Sequence, residues 1–197
     1  MYQQPEIHHE VSITNKEEKP MLSRIISFIC KHPREGLQTY PGLTRFNGQA
    51  IFSNEKVWSN IEVNGQAMLS GGAKFKDVLL VNGEMNADDC TFDVLDVRGS
   101  FKVNKAVINN QGFFYGSGKI QNSQIACLGL RSPGKIVLEN THVKGDLEYT
   151  SDGYRSSRLV LDNTTIDGVI FADESDREKV RFMNGSPVVP FKSRKKN

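Results

Sequence analysis

The chain has 197 residues, of which 38% are hydrophobic and 24% charged, and its formal net charge is +2. This length suits one sizeable core rather than two large domains, and the composition is that of a globular protein. The small net charge argues against nucleic-acid binding through overall charge. Three cysteines at irregular spacing match no zinc pattern. Without an apolar run of roughly 18 residues or a signal-peptide pattern, we expect a cytoplasmic protein without a cofactor.

Residues 1–45 are predicted to be an N-terminal tail that contains one amphipathic helix, at about residues 21–32. Pro20 suits a first helical turn and Pro33 ends the helix. One face of the helix is apolar and consists of Leu22, Ile25, Ile26 and Ile29. We expect this face to cap an open end of the following domain, and the alternative is peripheral contact with a membrane, which would make the protein membrane-associated.

Glycines then recur at a nearly constant interval. An apolar residue two positions before a glycine marks five successive segments, and the intervals between the glycines are 17, 18, 16 and 17 residues. The glycines are Gly48, Gly65, Gly83, Gly99 and Gly116. Because glycine adopts the positive φ that turns demand, each is predicted to end a strand of three to five residues.

A second pattern runs through the same repeats half a period later. It consists of a small residue, any residue and a large apolar residue, as in Ala73/Phe75 and Cys90/Phe92. Two patterns with one period predict a β-solenoid, in which each coil stacks on the next and like residues form apolar ladders. Counting the marks predicts an all-β, single-stranded solenoid of about seven coils over residues 46–171, each of 16–18 residues.

The period stretches near the C-terminus, where the polar segment Tyr149–Ser157 is predicted to bulge from one coil. Residues 172–197 are predicted to form a C-terminal cap and a basic tail, within which Asp173–Asp176 is interpreted as a solvated turn. Asn47, Asn64 and Asn82 each precede a repeat glycine, and we expect their amides to bond along the solenoid axis.

Catalytic candidates are weak. Asp88, Asp89, Asp93 and Asp96 form the densest group of carboxylates, but the next coils carry no acidic partners for them, so they are interpreted as solubilising surface charge. His142 is interpreted as solvent-facing. A carbohydrate-active β-helix enzyme is therefore disfavoured, and the chain is expected to have no catalytic or metal-binding residues and no small-molecule substrate.

The repeats resemble those of the bactofilins, polymer-forming bacterial cytoskeletal proteins. The resemblance covers about residues 46–170 and is carried by Val81–Met85, Leu95–Gly99, Val143–Leu147 and Ile166–Ile170. It implies a right-handed β-helix that assembles end to end into filaments, often near the membrane.

Two functions follow as expectations. The first is a structural scaffold whose partner is a second copy of itself, bound through the end coils. The residues predicted to make that contact are Phe46, Phe52, Trp58, Val169, Ile170 and Phe171. The alternative is a solenoid adaptor that does not polymerise and binds a partner through the Tyr149–Tyr154 loop or a lateral face.

Overall fold

The computed structural model describes residues 39–193 of the chain, and they form an all-β parallel solenoid. Every strand pair is parallel, as expected when one chain winds in repeated turns. The strands are β1 (Thr44–Phe52), β2 (Val57–Leu69), β3 (Lys74–Asp88), β4 (Thr91–Asn104), β5 (Val107–Gln121), β6 (Gln124–Arg131), β7 (Lys135–Glu139), β8 (His142–Val143), β9 (Leu147–Thr150), β10 (Arg158–Asp162), β11 (Thr165–Ile166), β12 (Ile170–Phe171), β13 (Val180–Met183) and β14 (Phe191–Lys192). One short helix, α1 (Glu174–Arg177), lies between β12 and β13.

Three sheet faces surround the core. Face A stacks nine segments in the order β1-β2-β3-β4-β5-β6-β9-β12-β14. Face B contains the second parts of β1 to β5, followed by β7, β10 and β13. Face C contains the first residues of β2 to β6, followed by β8 and β11. The chain therefore passes from A to B to C in each turn.

The solenoid has about nine turns, so the predicted number of seven is wrong. The count from the sequence stopped near residue 171, whereas β13 and β14 add strands beyond it. These later turns lack the repeat glycine, which is why the pattern did not reveal them. The predicted helix at residues 21–32, with Leu22, Ile25, Ile26 and Ile29, lies outside the described residues.

The predicted apolar ladders are confirmed. Val63, Val81 and Val97 occupy equivalent positions in successive turns, and all three are fully buried. The small residues Ala73 and Cys90 are also buried, as are the corresponding residues of later turns, Ala106, Ser123, Thr141 and Thr164. The hydroxyls of Ser123, Thr141 and Thr164 each donate a hydrogen bond to the backbone carbonyl oxygen two residues earlier. These bonds satisfy the polar groups that the column places in the core.

The repeat glycines bend strands without ending them. β2 to β5 run for 13 to 15 residues through the corner between faces A and B, so the prediction of strands of three to five residues is wrong there. Gly99 has a φ of 145°, and a Cβ atom on it would overlap the carbonyl oxygen of Gly83 in the turn below. Since hydrogen bonds run between turns, ladder pairing continues through a bend that only glycine permits.

Asparagines line the corner between faces B and C. Asn122, Asn140 and Asn163 have φ values of 50°, 49° and 46°, a left-handed conformation that asparagine tolerates well. Their amides bond along the axis, with Asn140 donating to Asn122 at 3.2 Å and Asn163 donating to Asn140 at 2.7 Å. The predicted ladder of Asn47, Asn64 and Asn82 is confirmed at the other edge of face B, with amide contacts of 3.3 and 2.8 Å.

Candidate assembly surfaces

An aromatic layer fills the N-terminal end of the described solenoid. Phe46 comes from face A, Phe52 from face B and Trp58 from face C. The ring centroids of Phe46 and Phe52 are 5.6 Å apart, those of Phe52 and Trp58 are 4.9 Å apart, and both pairs meet edge to face. Phe46 and Trp58 are half-buried against the core, while Phe52 is buried. The structure thus brings together three residues that the sequence predicted at this end.

The edge strand at this end has features that suit pairing. Within the described chain, β1 is the first strand of the stack and pairs only with β2. Its nine residues contain no proline, and Ile51 leaves 66% of its surface exposed. The indole Nε1 of Trp58 is buried without a hydrogen-bond acceptor. A buried donor without an acceptor lowers stability, and an acceptor from a second molecule would remove that cost. A long edge strand with unpaired backbone groups is a template for another strand.

The C-terminal end of the described solenoid is less suited to pairing with another strand. Phe182 and Phe191 meet edge to face with centroids 6.2 Å apart, and the Arg177 guanidinium lies 5.7 Å from the centroid of Phe191. β13 has four residues and β14 two, and Pro187 and Pro190 lie between them. Short strands and prolines both limit edge pairing.

The other predicted contact residues lie one layer further in. Ile170 and Phe171 pair with Phe191 and Lys192 of β14, so a further strand covers them on the C-terminal side. Ile170 is fully buried, while Val169 and Phe171 are half-buried. The end layer at this side is therefore formed by residues that the sequence analysis assigned to the cap.

Buried polar contacts fasten the C-terminal turns together. Asp176 in α1 accepts hydrogen bonds from the backbone N–H and the hydroxyl of Ser151, and Lys179 lies 3.4 Å from the same carboxylate. Asp176 is only 6% exposed, so its interpretation as part of a solvated turn is wrong.

Only part of the predicted bulging segment projects from the solenoid. Tyr149 is fully buried in β9, and burial raises its pKa. The projecting part is 152–156, where Tyr154 is 53% exposed.

A polar cluster lies on the outer side of face A. Asp96 is fully buried and receives two hydrogen bonds from Arg98, one of 2.9 Å, so its interpretation as a surface charge is wrong. Burial raises the pKa of Asp96, although Arg98 and Tyr40 oppose the shift. Burial next to this carboxylate also raises the pKa of Tyr40 and brings that of Tyr115 to about 12. Tyr40 and Leu43 cover outward-facing Val78, Leu80 and Val94, which accounts for apolar residues outside the core.

Sequence reasoning missed this cluster. A carboxylate in the alternating pattern of a strand normally faces solvent, and nothing in the repeat signals that residues 40–43 fold back over face A. The arginine two positions after Asp96 places both side chains on the same side of β4, and this spacing is the signal that could have indicated the ion pair.

Ligand-type side chains are dispersed over the described part of the chain. Asp88, Asp89 and Asp93 do not gather with other ligand-type side chains, and within residues 39–193 no three His, Cys, Asp or Glu residues come close enough to hold a metal ion. His142 is half-exposed on face C, and its Nε2 atom lies 2.8 Å from Oδ2 of Asp167. Burial raises the pKa of Cys90 to about 11, which disfavours the reactive thiolate.

Comparisons of the chain with protein-family models, with curated proteins and with solved structures find no match. In the described part of the chain, no helix has the length and hydropathy needed to span a membrane.

Proposed function

We propose that this protein is a non-enzymatic, cytoplasmic scaffold that self-associates through the N-terminal end of its solenoid. The observation that carries the proposal is the aromatic layer of Phe46, Phe52 and Trp58 beside the edge strand β1. Stacking another solenoid end on this layer would pair the backbone groups of β1 and bury the aromatic rings further.

The difference between the two ends supports this assignment. β1 offers nine residues for pairing, whereas the C-terminal strands are short and interrupted by prolines. The C-terminal end also carries Arg177 against Phe191, which brings positive charge to that layer. The resemblance to the bactofilins favours the same class of function and a right-handed helix.

Sedimentation velocity and negative-stain electron microscopy on the full chain test the proposal. We expect the wild-type protein to form dimers whose population rises with concentration, because a contact between two N-terminal ends closes on itself. Phe46→Lys should yield monomers, because it places a charge in the N-terminal layer, whereas Phe191→Lys should retain the association. Circular dichroism checks that both variants are folded. Monodisperse wild-type monomers, or equal loss in both variants, would contradict the proposal.

The alternative is an adaptor that binds a partner through residues 152–156. The exposed side chain of Tyr154 at the A–B corner is the observation that favours it. Under this alternative, the wild-type protein stays monomeric, and Tyr154→Ala removes partner binding without affecting the thermal midpoint. A shortened chain that begins at Thr39 separates the two functions further, since self-association of that chain locates the contact within the described solenoid.

A further inference from the structure

The outer surface of face B changes character along the solenoid axis. Strand register places its outward side chains in three columns, and the column next to face C carries the carboxylates Asp88, Glu139 and Asp162. In the first three turns these positions carry no cation, and from the fourth turn onward each turn contributes at least one. The cations, in order along the axis, are Lys102, Lys119, Lys135, Arg158, Lys179 and Arg181. Lys102, Lys119 and Arg181 lie in one column and the other three in the neighbouring column, and we call these six cations the basic strip.

Only part of the basic strip is neutralised by the protein itself. Lys119 forms an ion pair of 2.7 Å with Glu139, and Lys179 pairs with Asp176. Within residues 39–193, Lys102, Lys135, Arg158 and Arg181 form no ion pair and are exposed. Arg158 is also held in position, because its guanidinium donates to two backbone carbonyl oxygens at 2.7 and 2.8 Å.

A groove of about 450 Å³ lies beside the first cations of the strip. It exists because small residues replace long outward side chains in consecutive turns. Its lining includes the hydroxyls of Ser100 and Ser117, the backbone at Gly118 and Gly134, and the flanking side chains of Lys102 and Lys135. The side chains of Phe101 and Met85 point into the core and are buried beneath the groove, and Glu84 marks the end at which the strip stops.

We propose that the groove and the basic strip bind a linear acidic polysaccharide that runs along the solenoid axis. Successive turns are about 4.8 Å apart, and a pyranose ring advances a linear polysaccharide by nearly the same distance. In the described part of the chain, four of the five turns that contain the strip carry a cation without an ion pair, and only the fifth turn of the solenoid, which carries Lys119, does not. Carboxylate groups on the sugars would meet the cations. The hydroxyls of Ser100 and Ser117 would form hydrogen bonds with sugar hydroxyls.

Other polyanions fit this surface less well. The outward positions of the strip carry no aromatic side chain within the described residues, so single-stranded nucleic acid would lack a stacking platform. An extended acidic peptide could not add a strand, because the backbone of each inner turn of face B is paired on both sides. A flat bilayer would meet the projecting cations but would not enter the groove.

Isothermal titration of full-length protein with polygalacturonate tests the inference, with neutral dextran as the ligand control. We expect binding to polygalacturonate and none to dextran. The double variant Lys102→Glu/Lys135→Glu should weaken binding at least about tenfold, since two charge-assisted contacts become repulsive. The matched control Lys74→Glu/Lys144→Glu changes net charge equally on exposed positions of face C and should bind as wild type.

Ser117→Leu fills the groove without changing charge and should weaken binding at least about fivefold, because sugar hydrogen bonds and ring access are lost. The Phe46→Lys variant should bind as wild type per chain, so this test is independent of self-association. Three results would overturn the inference: no binding of polygalacturonate, equal loss in the two double variants, or tighter binding of oligothymidylate or phosphatidylglycerol vesicles than of polygalacturonate.

Discussion

The two halves of the solenoid form the corner between faces A and B in different ways. In the first five turns, a single glycine carries the chain from face A to face B, and the strand remains paired throughout the bend. In the later turns, the same corner grows to Ser132–Gly134, then to Ser151–Ser157, and finally to the segment that contains α1. The comparison shows that glycine keeps the strand continuous, whereas corners without it need a loop.

The longer corners are held in place by side-chain hydrogen bonds to the neighbouring turn. Ser157 donates a hydrogen bond to the carbonyl oxygen of Ser132 in the turn below, and Asp176 accepts hydrogen bonds from Ser151 in the same way. The N-terminal half therefore depends on backbone geometry, and the C-terminal half depends on buried polar contacts between successive corners.

The largest effect is expected from a side chain in the glycine column. Gly99→Ala should lower the free energy of unfolding by at least about 3 kcal/mol, because it combines a positive φ with overlap against the Gly83 backbone. Gly153→Ala is the matched control, since its φ is 77° but nothing lies within 4 Å of the added Cβ atom. That variant should cost about 1 kcal/mol. Equal losses in urea denaturation would refute the role of close backbone approach.

A somewhat smaller loss of stability is expected when the buried hydrogen bonds of Asp176 in the C-terminal half are removed. Asp176→Ala should lower the free energy of unfolding by about 2–3 kcal/mol, because it leaves the N–H and hydroxyl of buried Ser151 without their acceptor and removes the ion-pair partner of Lys179. Hydrogen exchange should rise in β10 and β13 and stay unchanged in β3 and β4. Exposed Glu178→Ala serves as the control. Uniform loss of protection would show that the halves do not differ as described.

The asparagine corner is shared by both halves. Asn122→Ala should cost about 1.5 kcal/mol, because it removes amide hydrogen bonds and puts alanine in a left-handed conformation. Asn122→Gly keeps the backbone conformation available and should cost about half as much. Thermal melting of both variants measures the difference, and a larger loss for glycine would contradict the conformational part of the explanation.

The smallest effect concerns pH. Burial raises the pKa of Asp96 above its ordinary value of 3.8, so the folded state binds this proton more tightly than the unfolded state. The stability contributed by the protonated form is complete below the unfolded pKa and is lost as pH rises through the folded pKa. Asp96→Asn should therefore flatten the decline in stability just above pH 3.8, measured by denaturation across pH. An unchanged slope would exclude Asp96 as its source.

Much of the fold could be predicted because a solenoid repeats its chemistry. Gly65 and Gly83 marked one corner, and Ala73/Phe75 marked the inner column of another face. The last turns could not be counted, since insertions at one corner erase the period without changing the stacking. Burial of Asp96 and Asp176 depends on residues distant in sequence, which no repeat encodes. Phe46, Phe52 and Trp58 were correctly grouped at one end because ladder register fixes their layer.

Hydrogen exchange of the full-length protein at increasing concentration tests the central claim most directly. If chains associate through the N-terminal end, amide exchange in Thr44–Phe52 slows as concentration rises, while exchange in Val180–Met183 stays constant. Slowing in Val180–Met183 alone, or no change in either segment over the range in which sedimentation detects oligomers, would contradict the claim.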